Sequence, residues 1–361
     1  MSRPWSLPGP LAVVLVALAS CQSGVTGTDG FASLTCTIPQ QFIADGGPGK
    51  DGIPALTNPQ LVPADDPLAT YVRPEDRVVG IVLGAEVIAV PLNIGWWHEV
   101  VNLDRGNLRV AVTHCPLTGS SLAFDRAAVG GAQFGVSGLL YLNNLMLYDR
   151  NTGESLWPQM SRGARCGDRA GTGLTMVPAI EMTWAGWRSL HPTTRVVSGN
   201  TGHSRDYQSY PYGNYADPNN SQLLSPIPEL DTRRPPKERV LGIILPDGSN
   251  LALPFIEMEL LPGAVAALPV TVGSTPAVVF WDDARQAAAA YAPNANGQAL
   301  TFRVEGADLV DNQTNSRWTV DGRAVSGALA GQRLTQVAEN YVAYWFAWAA
   351  FHPQARLWSP T

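Results

Sequence analysis

Charge is scarce in this sequence. Only 15% of its 361 residues are Asp, Glu, Lys or Arg, against 45% hydrophobic ones, and the net charge is −6. No basic stripe occurs, which excludes nucleic acid as an expected partner. The apolar run at residues 11–19 is too short to span a bilayer. No P-loop is present: the glycines between 167 and 173 have no accompanying Lys and no strand–turn–helix setting. Gly-x-Ser-x-Gly is missing as a nucleophile elbow, and Val136-Ser137-Gly138 is only a turn-like fragment. Glu99, Asp104 and Asp125 have no spacing that would fix them as a glycosidase pair. Cysteine is sparse too, with four in all, and no Cys-x-x-Cys or His-x-His pattern marks a metal site.

What is abundant points to strands and turns. Thirty-five Gly and 29 Pro are too many for a helical protein, and 361 residues suffice for two well-buried units. The N-terminus combines Arg3, the short apolar run and small residues ahead of Cys21, which are the marks of a secretory signal. Leu18-Ala19-Ser20-Cys21 resembles a lipobox, so residues 1–21 read as a lipoprotein signal with Cys21 lipidated. Residues 22–46 then form a tether and extension. This places the mature chain in the cell envelope, held on the extracytoplasmic side of a membrane by lipid, where another envelope protein could be its partner.

Three cysteines remain, Cys36, Cys115 and Cys166. An oxidising compartment permits one disulfide among them. Spacing alone leaves the pairing open. Cys36 with Cys166 is the favoured assignment, because Cys115 sits in a more suggestive context.

The chain also resembles itself. Pro74-Glu75-Asp76-Arg77-Val78-Val79-Gly80-Ile81 reads like Pro236-Lys237-Glu238-Arg239-Val240-Leu241-Gly242-Ile243. Leu147, Asp149 and Trp157 have counterparts in Leu309, Asp311 and Trp318. Trp184-x-x-Trp187-x-x-x-His191-Pro192 matches Trp345-x-x-Trp348-x-x-x-His352-Pro353. The matches keep their order over more than a hundred residues, which reads as an internal duplication. The expected fold is α+β and strand-rich. It comprises two homologous β-rich domains, residues 47–198 and a degenerate second copy at 236–361, each ending in an amphipathic helix. Residues 181–190 form the first such helix, with Trp184 and Trp187 at i,i+3 spacing. Residues 199–235, rich in Tyr, Pro and Asn, link the copies, and the closely spaced Tyr207, Tyr210, Tyr212 and Tyr215 suggest that the linker packs on something.

Several motifs in order resemble the DUF3179 family: Asp51-Gly52-Ile53-Pro54-Ala55-Leu56, His98-Glu99-Val100-Val101-Asn102, Cys115-Pro116-Leu117-Thr118-Gly119, Phe134-Gly135-Val136-Ser137-Gly138 and Ser155-Leu156-Trp157-Pro158-Gln159. The resemblance runs from residue 47 to the C-terminus and is densest over 50–160. It implies an exported protein and supplies no reaction. Many members resemble Thr-Tyr-Cys-Pro-Leu-Cys at the cysteine motif. Here His114 stands where Tyr is common and Thr118 where a second Cys often stands, so a two-thiol redox pair is not expected.

Residues common to both copies are best explained by the shared fold, which makes His191, His352, Trp157 and Trp318 structural. Residues confined to the first copy are the functional candidates. The second copy has Gly273-Ser274-Thr275-Pro276 where the first has Thr113-His114-Cys115-Pro116. One reading is a non-catalytic binding or assembly protein. The alternative is a single site centred on Cys115 and His98. There Cys115, His98, Met146 and His114 would bind a thiophilic metal such as copper, or a Cys115 thiolate would be activated by His98 or His114, with Asp125 or Glu99 orienting the imidazole. Adjacent strand residues face opposite ways, so His98 is the better partner for Cys115 than His114.

Overall fold

The computed structural model describes residues 31–360, apart from 32, 152, 153 and 338. The signal-like segment and Cys21 lie outside the described residues. The fold is strand-rich α+β, and no helix among the described residues is long and apolar enough to cross a membrane.

Two sheets organise the molecule. In the first, Ala179–Thr183, Arg77–Leu83, Glu86–Pro91, Arg195–Val197 and Leu61–Pro63 lie side by side in that order. In the second the order is Asn340–Tyr344, Arg239–Ile244, Asn250–Pro254 and Arg356–Leu357. The first four positions correspond, including a parallel step at the same place, Glu86–Pro91 on Arg195–Val197 and Asn250–Pro254 on Arg356–Leu357. Each sheet carries two short helices. Helices α1 (Leu92–His98) and α2 (Trp184–Leu190) belong to the first, α3 (Phe255–Glu259) and α4 (Trp345–Phe351) to the second.

Helix α2 is shorter than the periodicity predicts. Residues 179–183 pair in register with Arg77–Leu83, so Glu181 is a strand residue. The helix begins at Trp184 because the Thr183 hydroxyl accepts the Gly186 N–H and caps it. Helices α1 and α3 were invisible in the sequence: one turn or two behind a proline leaves too few residues for a 3.6-residue period.

The strand pattern dictates the packing. Val79, Ile81 and Leu83 alternate onto Val101, Leu103, Val110 and Val112 of their own half. Val78, on the opposite face, joins Trp184 and Trp187 against Phe280, Tyr291 and Trp318 of the other half. The second sheet does the same. Leu241 and Ile243 pack within their half, while Val240, Trp345 and Trp348 pack among Cys115, Phe124 and Trp157. Each tryptophan helix therefore completes a core that belongs to both halves.

The same contacts recur. Trp187 lies over Gly80 and Trp348 over Gly242, and a Cβ on either glycine would fall within 2.2 and 1.9 Å of the ring. His191 and His352 stack on those tryptophans at 4.1 and 4.4 Å. The Trp157 indole donates to Asp149 at 2.8 Å and the Trp318 indole to Asp311 at 3.0 Å. The two aspartates also accept the N–H of Ser155 and of Ser316.

Further strands build the site. Val100–Arg105, Leu108–Cys115 and Ser120–Asp125 form consecutive antiparallel neighbours. Phe134–Tyr141, Asn144–Asp149 and Leu156–Pro158 form a second meander. A disulfide joins Cys36 to Cys166 and fastens the N-terminal extension to this half.

Candidate functional site

Cys115 ends its strand, opposite Ser120 across the Pro116–Gly119 turn. Its thiol is fully buried and free. The Leu145 N–H donates to Sγ at 3.3 Å. Burial is the main cause that raises the Cys115 pKa to about 11, and the Glu99 carboxyl adds to it, so Cys115 is a neutral thiol at physiological pH.

Beneath the turn lies a web of buried hydrogen bonds. Asn144 donates to Gln159 Oε1 and to the Thr118 hydroxyl, at 2.9 and 3.0 Å. Ser120 donates to Gln159 at 2.6 Å, and Gln159 donates to the Thr113 hydroxyl at 2.9 Å. Thr118 is thus an anchor of the turn. Gly119 has φ +58, and a Cβ there would fall within 2.6 Å of the Tyr344 ring, so the turn needs glycine on both counts. Tyr344 brings the second half to the motif, and its N–H donates to the Thr118 carbonyl.

Glu99 follows helix α1 with φ +56 and ψ −31, a conformation that costs a non-glycine residue about 1–3 kcal/mol. Its side chain is buried, makes no hydrogen bond among the described residues, and lies close enough to Cys115 and Tyr212 to raise the pKa of both. Burial raises its own pKa to about 8, so the carboxyl is mostly protonated at neutral pH.

The four candidate metal ligands do not converge. His98 uses both ring nitrogens: Nδ1 meets the Pro54 carbonyl and Nε2 the Tyr207 hydroxyl, each at 2.7 Å. A carbonyl only accepts, so Nδ1 carries the proton and Nε2 accepts from Tyr207. Burial lowers the His98 pKa to about 4, keeping it neutral. Met146 packs with Tyr148 and Cys166, while its neighbours Leu145 and Leu147 pack with Cys115, so the thioether is on the wrong face of its strand. His114 precedes Cys115 on a strand that continues through both, and it turns away to meet Ser121 at 3.0 Å. Asp125 accepts the Ala127 N–H and caps a short 3-10 helix (residues 126–129), so it orients no imidazole. No group of three or more His, Cys, Asp or Glu among the described residues could hold a metal ion.

On the His114 side lies a group that sequence reasoning missed. Ser121 accepts from His114 and donates to Glu181 Oε2 at 3.2 Å. Glu181 Oε1 receives Arg77 at 2.9 Å and Arg239 at 3.1 Å. Arg77 and Arg239 occupy matching places in the two sheets, and the match itself hid them, because shared residues were read as structural. The only signal was Glu181, which has Val342 as its counterpart.

The segment between the halves roofs this region. Tyr210 packs edge-on against Trp96, Tyr212 against Tyr210, and the Tyr215 hydroxyl donates to the Leu117 carbonyl at 3.0 Å. Burial and the neighbouring Cys115 raise the pKa of Tyr210, Tyr212 and Tyr215. The segment thus covers a neutral thiol and a mostly protonated carboxyl with phenols, and Arg77 and Arg239 meet at Glu181 nearby.

A family model described as "Protein of unknown function (DUF3179)" matches residues 50–355. Neither the curated proteins nor the solved structures contain a match to the chain.

Proposed function

Since the chain belongs to the DUF3179 family, whose description assigns no reaction, we propose that it is an exported envelope lipoprotein that binds a small ligand under the tyrosine-bearing segment beside Cys115 and Glu99. The observation that carries this reading is Glu99. It is held in a backbone conformation that glycine would adopt at no cost, is buried, and has no hydrogen-bond partner among the described residues. Backbone strain and a buried carboxyl with a raised pKa at one position are retained where a function needs them. The neutral Cys115 thiol favours binding over nucleophilic chemistry. The engaged nitrogens of His98 argue against the thiophilic-metal alternative.

The Cys36–Cys166 disulfide supports an oxidising compartment, and with it the secretory signal and a lipidated Cys21 on the outer side of a membrane. The recurring sheet order and the paired Trp–Gly, Trp–His and Asp–Trp contacts favour origin by internal duplication, with the site kept in one copy. An envelope protein that takes up the bound ligand, or is held in an assembly by this one, fits the same reading.

Native mass spectrometry of protein from the envelope fraction, beside Glu99→Gln and Cys115→Ala, tests the binding reading. A bound mass present in the parent and diminished in the variants supports it. Ligand content that ignores both substitutions sinks it. Cys21→Ala should release the mature chain from the membrane fraction, and retention would refute the lipid anchor.

A further inference from the structure

The two sheets bring their matching arginines to one place, and only one half supplies a carboxylate. Arg77 and Arg239 both bind Oε1 of Glu181, whose side chain is 3% exposed. The other titratable groups beside this cluster are His114, Cys115, Tyr210 and Tyr344, and none adds a charge at neutral pH. His114 is held neutral by burial, with its pKa lowered to about 4. Two cations therefore face one anion. Like-charged guanidinium groups in a poorly solvated place repel, and burial together with Arg77 lowers the Arg239 pKa to about 10.

Unpaired donors point the same way. Arg239 Nε and the Tyr210 hydroxyl are buried and have no hydrogen-bond partner among the described residues. The side chains are 28% exposed for Arg77 and 19% for Arg239, so Arg77 is the more accessible of the two. Tyr210 stands close enough to Arg77, Tyr344 and Cys115 for each to act on its pKa, and it packs edge-on against Trp96 of helix α1, which sets the donors beside the proposed site.

We propose that Arg77, Arg239 and the Tyr210 hydroxyl form the anchoring subsite for a ligand carboxylate, and that the rest of the ligand extends toward Cys115, Glu99 and Tyr212. This rests on the binding reading above and names its ligand class: small monocarboxylates. The charge count selects a monoanion, because one negative charge balances the cluster. A planar carboxylate also matches the fork of a guanidinium in two parallel hydrogen bonds. Nothing covalent is required of Cys115.

The test is calorimetric titration of the mature protein at pH 7 with acetate, propionate and benzoate, with the corresponding amides as neutral isosteres, and with inorganic phosphate. The expected result is saturable binding of at least one carboxylate, at least tenfold tighter than its amide and tighter than phosphate. Arg239→Gln and Tyr210→Phe should each weaken it, the former by about tenfold or more. Arg239→Gln leaves Glu181 paired with Arg77, so the variant should stay folded, with a melting temperature within a few degrees of the parent. Amides that bind as well as carboxylates, or carboxylate binding indifferent to Arg239→Gln, would overturn the subsite and leave the binding reading standing. Phosphate as the tighter ligand would overturn the monoanion assignment. If no member of the panel binds and native mass spectrometry also finds no ligand, both readings fall.

Discussion

Tyr207 donates its hydroxyl proton to Nε2 of His98, 2.7 Å away, and by that bond the segment between the halves is latched onto helix α1. The imidazole is a structural acceptor held in one tautomer by the Pro54 carbonyl. His98→Ala should free the roof without unfolding the halves. Limited proteolysis should then cut within residues 199–215 well before the parent is cut. Unchanged cleavage would show that the latch does not hold the segment.

Acid should act through the same residue. The folded pKa of His98 is lowered to about 4 from 6.5. The unfolded chain therefore takes up the proton first, and stability present above pH 6.5 is lost as pH falls toward 4. His114 and His352, also lowered to about 4 by burial, act with the same sign. Each contributes up to about 3 kcal/mol, less for the more exposed His352. Melting curves between pH 7 and 4 should fall steeply, and the His98→Gln variant should fall less.

Glu99 acts with the opposite sign. Its folded pKa is raised to about 8, so the penalty for burying it is absent below pH 4.5 and grows as pH rises toward 8. Glu99→Gln should raise stability at pH 7.5 by about 2–3 kcal/mol and change little at pH 4.5. Chemical denaturation at the two pH values measures this. A variant less stable than the parent at pH 7.5 would mean that the carboxyl is ionised and solvated.

Gly80→Ala and Gly242→Ala place a methyl group inside the ring of Trp187 or Trp348. The rings are fully buried and cannot move away, so each substitution should cost at least about 1–3 kcal/mol. Similar losses at both positions would match the recurring contact. A loss at only one would show that the second sheet tolerates displacement of its helix.

Reduction of the Cys36–Cys166 bond releases a loop whose ends are 130 residues apart in sequence. Constraint of so long a loop is worth about 2–5 kcal/mol. Cys36→Ser should lower the melting temperature by several degrees and leave Cys115 unreactive toward thiol reagents, since its burial does not depend on that bond. Labelling of Cys115 in the folded variant would contradict this.

Much of the framework could be read from sequence. The strand periods, the tryptophan helices and the family motifs all pointed to a strand-rich α+β chain, because alternation and i,i+3 spacing are local. The site was harder to read. His98 and Cys115 attracted notice as reactive types, yet the imidazole latches a loop and the thiol sits neutral in a core. Arg77 and Arg239 were passed over because each has a counterpart, although their meaning lies in facing one Glu181. Met146 stands out as a soft thioether ligand, and strand alternation turns it away. Glu99 reads in sequence only as a group that could orient an imidazole, since its strain appears only once helix α1 ends there.

Helix α4 is among the last elements to leave the ribosome, and it closes the core in which Cys115 lies. On the proposed export route, a chain crossing a membrane carries Cys36, Cys115 and Cys166 as open thiols until helix α4 arrives to bury Cys115. The right bond must form between Cys36 and Cys166 while Cys115 is still a rival. On that proposal, maturation is a race between oxidation and completion of the core, and oxidation that comes too early would trap Cys115 in the wrong bond.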